Sequence, residues 1–276
     1  MMVIWDLNGN PYLKGIYDVQ ILLTNDDGIY APGLAALERQ VRMMGDVTVV
    51  APLTEQSGVG HSITYLTPLM AREVFDDTGQ RRGWAVEGSP ADCVKLAVAE
   101  LCPKRPELVV SGINSGLNAG INVLYSGTVA AAIEGAFFGI TSVAVSLEYD
   151  DAARYDLAAN QGATIIQQIL NQKDSANHLY NLNIPSSALD HQAEIHVVPV
   201  AIAPWSEDFE KRKDPRGRKY YWATGLAPDP PTNTETDLSA LRAGHITLTP
   251  LQFNMTHSQK LDQMKNWQLD LTPATR

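Results

Sequence analysis

Apolar positions in this chain fall into short runs broken by glycine-rich and polar turns, and the spacing changes from run to run. Residues 19–24 form an apolar run of strand length that stops abruptly at Asn25-Asp26-Asp27-Gly28. Leu34, Leu37, Val41 and Met44 then recur at helical spacing, with Pro32 suited to a first helical turn and Gly45 to a stop. Residues 47–51 are a continuous β-branched run of the kind buried in a parallel sheet. Strand, helix and strand joined by short turns predict an α/β protein with an open, doubly wound, mostly parallel sheet. Such sheets take ligands at the carboxyl ends of their strands.

Further along, residues 63–72 and 84–86 alternate around a polar turn at 76–83 and predict an antiparallel, β-rich excursion. Ser89 as N-cap and Pro90 at the first helical position open a helix through Val94, Leu96, Ala97 and Leu101. A strand at 108–111 leads into a loop of glycines and amides at 112–120. Ser126-Gly127-Thr128 then opens a helix of small residues, and a strand at 140–147 completes the core. Weaker patterns follow: a helix over 156–170, strands at 179–184, 194–200, 220–223 and 245–251, and a short helix or turn at 237–243. This divides the chain into an extension at 1–18, one α/β domain at 19–256 with its core at about 19–150, and a polar tail at 257–276 that meets a partner subunit.

Composition narrows the function classes. With 276 residues, 45% hydrophobic and 19% charged, the chain can bury a large core. A formal charge of -10 argues against a nucleic-acid polymer or an anionic membrane as partner, and no apolar run reaches the length of a membrane helix. A small phosphorylated substrate remains compatible, because a bound cation can reverse the local sign. Cys93 and Cys102 have neither metal-site nor disulfide-framework spacing, which points to a reducing cytoplasm.

The candidate chemistry centres on Asp26 and Asp27. Adjacent carboxylates repel, and a divalent cation at the end of a strand offsets both charges. Ser57, in the small-residue loop after the second strand, and Asn114, in the loop after the third, converge on the same sheet edge with neutral oxygens. Two Asp, one Ser and one Asn make an open site for a hard cation such as Mg²⁺ or Mn²⁺. The helix terminus at Ser126, Gly127 and Thr128 offers free N–H groups and hydroxyls to a phosphate. Gly112, Gly116 and Gly120 lack both the lysine of a P-loop and the spacing of a dinucleotide fingerprint. Of six histidines, His61 lies in a candidate loop and is read as a hydrogen-bonding group; the others are scattered without paired ligand spacing, which argues against zinc. Asp6-Leu7-Asn8-Gly9-Asn10 resembles the haloacid dehalogenase phosphatase motif, but Asn8 replaces its second carboxylate and Asn10 its threonine. A short strand and turn is the better reading.

Taken in order, the stretches 21–28, 31–33, 50–52, 56–58, 88–94, 110–116 and 125–132, with echoes at 182–185, 214–222 and 244–251, resemble the SurE family of survival proteins. That resemblance implies a Rossmann-like core and a metal-dependent nucleotidase that hydrolyses nucleoside 5'- and 3'-monophosphates. It implies one divalent ion per subunit, held by Asp26, Asp27, Ser57 and Asn114, and a homodimer or homotetramer with exchanged carboxyl-terminal elements. Asn25, Asn118, Ser126, Gly127 and Thr128 would then face the phosphate, with Asp26 holding the ion, handling a proton or attacking phosphorus. Two alternatives stand beside this reading: a nucleotide-binding module without turnover, and a haloacid-dehalogenase-type phosphatase using Asp6.

Overall fold

The structure is a computed structural model that describes residues 2–5, 11–14, 19–174, 176, 178–191, 193–202, 208–224, 234–267 and 269. Near the start, β1 (Met2–Trp5) and β2 (Pro11–Lys14) pair antiparallel as a separate two-stranded sheet. Asp6, Asn8 and Asn10 lie outside the described residues.

The first strand of the main sheet, β3 (Val19–Thr24), buries every residue from Ile21 to Thr24. Its odd and even positions feed different cores, as a strand's twofold alternation requires. Ile21 and Leu23 join the cluster that includes Leu34, Leu37 and Val41 of α1 (Pro32–Val41) and Ile165, Ile166 and Ile169 of α4 (Tyr155–Gln172). Leu22 faces the other way, toward Cys93 and Val94 of α2 (Pro90–Leu96) and Ala131 of α3 (Gly127–Phe137). The neighbouring strands β4 (Gly45–Pro52) and β7 (Leu108–Ser115) split in the same way, Val49 and Val110 to one core and Val50 and Val109 to the other. The result is a helix–sheet–helix sandwich.

The described residues form a nine-stranded sheet. Its remaining strands are β5 (Ala71–Phe75), β6 (Arg81–Val86), β8 (Thr141–Leu147), β9 (Leu179–Ile184), β10 (Ile195–Val197) and β13 (Ile246–Leu251), in the order β10-β13-β9-β8-β7-β3-β4-β6-β5. The strands from β6 through to β9 run parallel, whereas β5 and β13 run antiparallel to their neighbours β6 and β9. From β3 the chain builds outward through β4 and β6, then returns to place β7 on the opposite side of β3. That reversal is a topological switch point, where open α/β sheets form a crevice.

Several expected elements take different bounds. Residues 63–70 are irregular rather than a strand: Asp92 captures Thr64 N–H at 2.9 Å, Ser89 Oγ donates to the Ser62 carbonyl at 2.6 Å, and the loop is held down by side chains in place of a ladder. The expected antiparallel pairing is present between β5 and β6, and β6 also joins β4 in the main sheet. Strand β7 continues through the expected loop to Ser115, with a register shift between Ser111 and Asn114. The strand expected at 194–200 is confined to β10. Beyond it, β11 (Phe209–Lys213) and β12 (Lys219–Ala223) form a free-standing hairpin, α5 (Asp237–Arg242) precedes β13, and α6 (Ser258–Met264) lies in the tail. No helix among the described residues is long and apolar enough to cross a membrane.

Asp237 ties this carboxyl-terminal part to the core. Fully buried, it accepts the N–H groups of Gly120, Ala201 and Leu238, each at 2.8 Å. Substituting Asp237→Ala orphans buried donors and is expected to cost about 2–4 kcal/mol. Thermal unfolding should show a Tm lowered by roughly 5–10 °C for a chain of this size.

Candidate functional site

The site grows out of the end of β3. Asn25 closes the turn: its Nδ2 donates to the Gly28 carbonyl at 3.0 Å and its Oδ1 accepts the Gly28 N–H at 3.2 Å. Gly28 has φ +100, a left-handed conformation that a side chain would strain. The turn leaves Asp26 buried and Asp27 half-buried, aimed at different neighbours.

Asp26 meets the amino terminus of α3. Its carboxylate accepts the Thr128 N–H at 3.1 Å and the Thr128 hydroxyl, while its backbone carbonyl takes the Gln56 N–H at 2.8 Å. A helix amino terminus favours an anion through its free N–H groups and its dipole. The approach is close enough that a Cβ on Gly127 would lie 2.9 Å from the Cβ of Asp26 and 3.0 Å from Pro90. Ser126 caps the same helix, its Oγ accepting the Val129 N–H at 3.0 Å. The helix terminus that the sequence offers to a phosphate therefore already grips a carboxylate through Thr128.

Asp27 accepts the Ser115 N–H at 3.2 Å, which brings the end of β7, and with it Asn114, beside the pair. Asn114 donates from Nδ2 to the Gly116 carbonyl at 2.7 Å, so Oδ1 is the amide atom suited to an ion. From the other side comes the loop after β4. Ser57, adjacent to the Gln56 that binds Asp26, donates its hydroxyl to Glu55 at 2.5 Å. Asn118 is buried elsewhere in the third loop, its Nδ2 on Ser146 at 2.9 Å, its N–H on Asn183 at 2.8 Å and its carbonyl taking Asn181 Nδ2 at 2.7 Å. It ties that loop to β8 and β9. His61 bonds Glu134 at 2.7 Å and stacks on Phe137, which anchors the loop after β4 to α3.

Glu55 is the member that sequence reasoning passed over. It is an exposed carboxylate whose charge acts on both Asp26 and Asp27, and its only signal was a position two residues before Ser57. Burial raises both Asp pKa values; Asp27 is pushed up to about 6, by desolvation first and by the Asp26 charge second, with Glu55 adding to both. The Thr128 hydroxyl and N–H pull Asp26 the other way. No cationic side chain among the described residues contributes to either group. A hard, oxygen-only donor set with excess negative charge and no counter-ion among the described residues fits a divalent cation.

An α/β protein with a doubly wound sheet and an acidic, oxygen-rich crevice at its switch point is the class that these features define. The family model described as "Survival protein SurE" matches residues 21–207, and the chain belongs to the SurE family. A protein named 5'-nucleotidase SurE from Rhodopirellula baltica is 58% identical over 252 residues, covering 91% of this chain and 99% of that one. Its namesake in Heliobacterium modesticaldum is 42% identical, covering 90% and 92% respectively. The crystal structure of the SurE protein from Aquifex aeolicus superposes with a TM-score of 0.75 at 35% identity, over 89% of this chain and 98% of that one.

The raised Asp27 pKa has a definite sign. The folded chain holds this proton more tightly than the unfolded chain, so the associated stability is present below about pH 4 and is lost as pH rises through about 6. Asp27→Asn should therefore raise the Tm of chelator-treated protein at pH 7.5, by about 1 kcal/mol of stability once solvent screening of this half-exposed group is discounted. At pH 4 the gain should vanish. Differential scanning fluorimetry at the two pH values checks both.

Proposed function

We propose that this chain is a metal-dependent phosphomonoesterase that releases phosphate from nucleoside 5'- and 3'-monophosphates. The observation that carries the reading is the set of carboxylates at the switch point, Asp26, Asp27 and Glu55, with no cationic side chain among the described residues acting on the Asp pair. Kinship with proteins named 5'-nucleotidase SurE supplies the substrate class.

Asp26, Asp27, Ser57 and Asn114 would hold one divalent ion, Mg²⁺ or Mn²⁺. When bound, such an ion supplies a Lewis acid for a phosphoryl oxygen and a water nucleophile near neutral pH. Thr128 fixes the Asp26 carboxylate through both its N–H and its hydroxyl, which suits Asp26 to holding charge rather than to attacking phosphorus. Ser126 can still donate its hydroxyl proton, and the Gly127 N–H at the first helical position has no acceptor inside the helix. These two are the phosphate-facing groups of the α3 terminus, and donors fixed before reaction stabilise charge as it builds in the transition state. Asn25 and Asn118 contribute by shaping the first and third loops.

Purified protein given AMP with Mn²⁺ should release phosphate, and EDTA or Asp26→Asn should lower kcat by at least about 100-fold, with no phosphoenzyme after an acid quench. Equal release in all arms would overturn the assignment, as would AMP binding without turnover.

Residues 19–256 would act as the catalytic domain, with 1–18 an extension and 257–276 a tail, in a reducing cytoplasm that suits the free thiols of Cys93 and Cys102. Phe209, Tyr221 and Trp222 on the β11–β12 hairpin, with Phe253 and Trp267 beyond β13, are all about half exposed. Such an aromatic surface suits burial against another copy of the chain. Light scattering should find a homodimer or homotetramer, and truncation after residue 256 should lower the measured mass.

A further inference from the structure

The carboxyl-terminal edge of the sheet holds a second group of ligating side chains, far in sequence from Asp26. Strand β10 pairs parallel with β13, with Ile195 opposite Ile246 and His196 opposite Thr247. That register brings His245, just before β13, against His196: the two imidazoles stack with centroids 4.0 Å apart and planes 17° from parallel. Glu194 Oε2 lies 3.3 Å from His196 Nε2. One ligand atom from each of Glu194, His196 and His245 can be chosen so that all lie within 4.8 Å of one another.

The backbone under these side chains is fixed. The Glu194 carbonyl accepts the Ile246 N–H at 3.0 Å, and the His245 N–H reaches the Ala240 carbonyl at 3.0 Å. Glu235 makes the arrangement specific: its Oε1 sits 2.6 Å from His196 Nδ1, opposite the nitrogen that faces Glu194. A carboxylate on one imidazole nitrogen sets the tautomer and leaves the other nitrogen's lone pair for a metal. Glu235 itself is placed by the capping box that follows it, in which Thr236 and Ser239 exchange hydrogen bonds at the start of α5.

We propose that Glu194, His196 and His245 form a second metal site, selective for Zn²⁺ and separate from the crevice at Asp26. Two imidazoles and one carboxylate with an open fourth position make a borderline-soft, three-ligand set, unlike the all-oxygen set at β3. Ligand atoms around tetrahedral zinc lie roughly 3.4 Å apart; Glu194 and His196 already meet that spacing at 3.3 Å, so it is the His245 ring that turns out of the stack as the ion enters. The site has a structural purpose. The chain leaves β10 toward the β11–β12 hairpin and comes back at Glu235, so an ion held here would staple the base of that excursion to the sheet edge.

Zinc titration of the metal-stripped full-length protein, followed by calorimetry, tests this. The wild type should bind two equivalents, Asp27→Asn one, His245→Gln one, and the double variant none. Zinc should raise the Tm of Asp27→Asn protein, and adding His245→Gln should abolish that rise. Glu235→Gln, which removes only the orienting carboxylate, should weaken this one site by at least about 10-fold while the stoichiometry stays unchanged. His245→Gln protein should release phosphate from AMP with Mn²⁺ at the wild-type rate, which shows that it is folded. Wild-type zinc stoichiometry and affinity in both His196→Gln and His245→Gln would overturn the proposal. If Asp27→Asn binds as wild type while His245→Gln loses an equivalent, this site stands and the reading of the crevice falls.

Discussion

Asp26 and Asp27 are adjacent carboxylates that burial and mutual repulsion both push toward protonation, and hydrogen bonds from the surrounding fold oppose that pressure. Thr128 clamps one through the amino terminus of α3, and the Ser115 N–H steadies the other. Glu55 works in the opposite sense, adding negative charge where a fold built for stability alone would place a cation. On the proposed reading, the strain of holding these groups ionised is what a divalent ion in the crevice would relieve. Gly127 follows from the same demand, since any side chain there would collide with the carboxylate that the helix must reach.

The parts of this arrangement carried by local pattern could be read from the chain itself. An apolar run ending in Asn-Asp-Asp-Gly, followed by helical spacing, already placed the pair at a strand's carboxyl end. The SurE stretches placed the neighbouring loops around it. What could not be read was how each polar side chain spends its hydrogen bonds. Asn25 uses both amide atoms on Gly28, and Asn118 spends its Nδ2 on Ser146 of β8 while its backbone N–H and carbonyl meet side chains of β9. A turn-closing amide and a phosphate-facing amide look identical in a sequence.

Long-range pairing hid the rest. Residues 63–72 alternate like a strand, yet Asp92 and Ser89 hold 63–70 as a loop. Gly112 reads as a strand terminator, but β7 absorbs it as an interruption and runs on to Ser115. His196 and His245 looked scattered because nothing local signals that β10 and β13 pair in parallel. Their meeting is a product of sheet order, and that order comes from the weakly patterned half of the chain.

The third loop of the crevice is tied down by that same half. Asn118 is bonded to Asn181 and Asn183, and Gly120 to Asp237, so residues 116–120 hang from strands and a helix more than 60 positions downstream. Opening this loop alone would break several buried hydrogen bonds at once, so it moves as one cooperative unit with β9 and the start of α5. Hydrogen-exchange protection at Gly120 should therefore track that of Asp237 rather than that of Leu124 and Tyr125, the exposed residues a few positions on. Whatever tightens or loosens the far edge of the sheet is felt in a loop that borders the carboxylates, although no described residue of that edge is bonded to them.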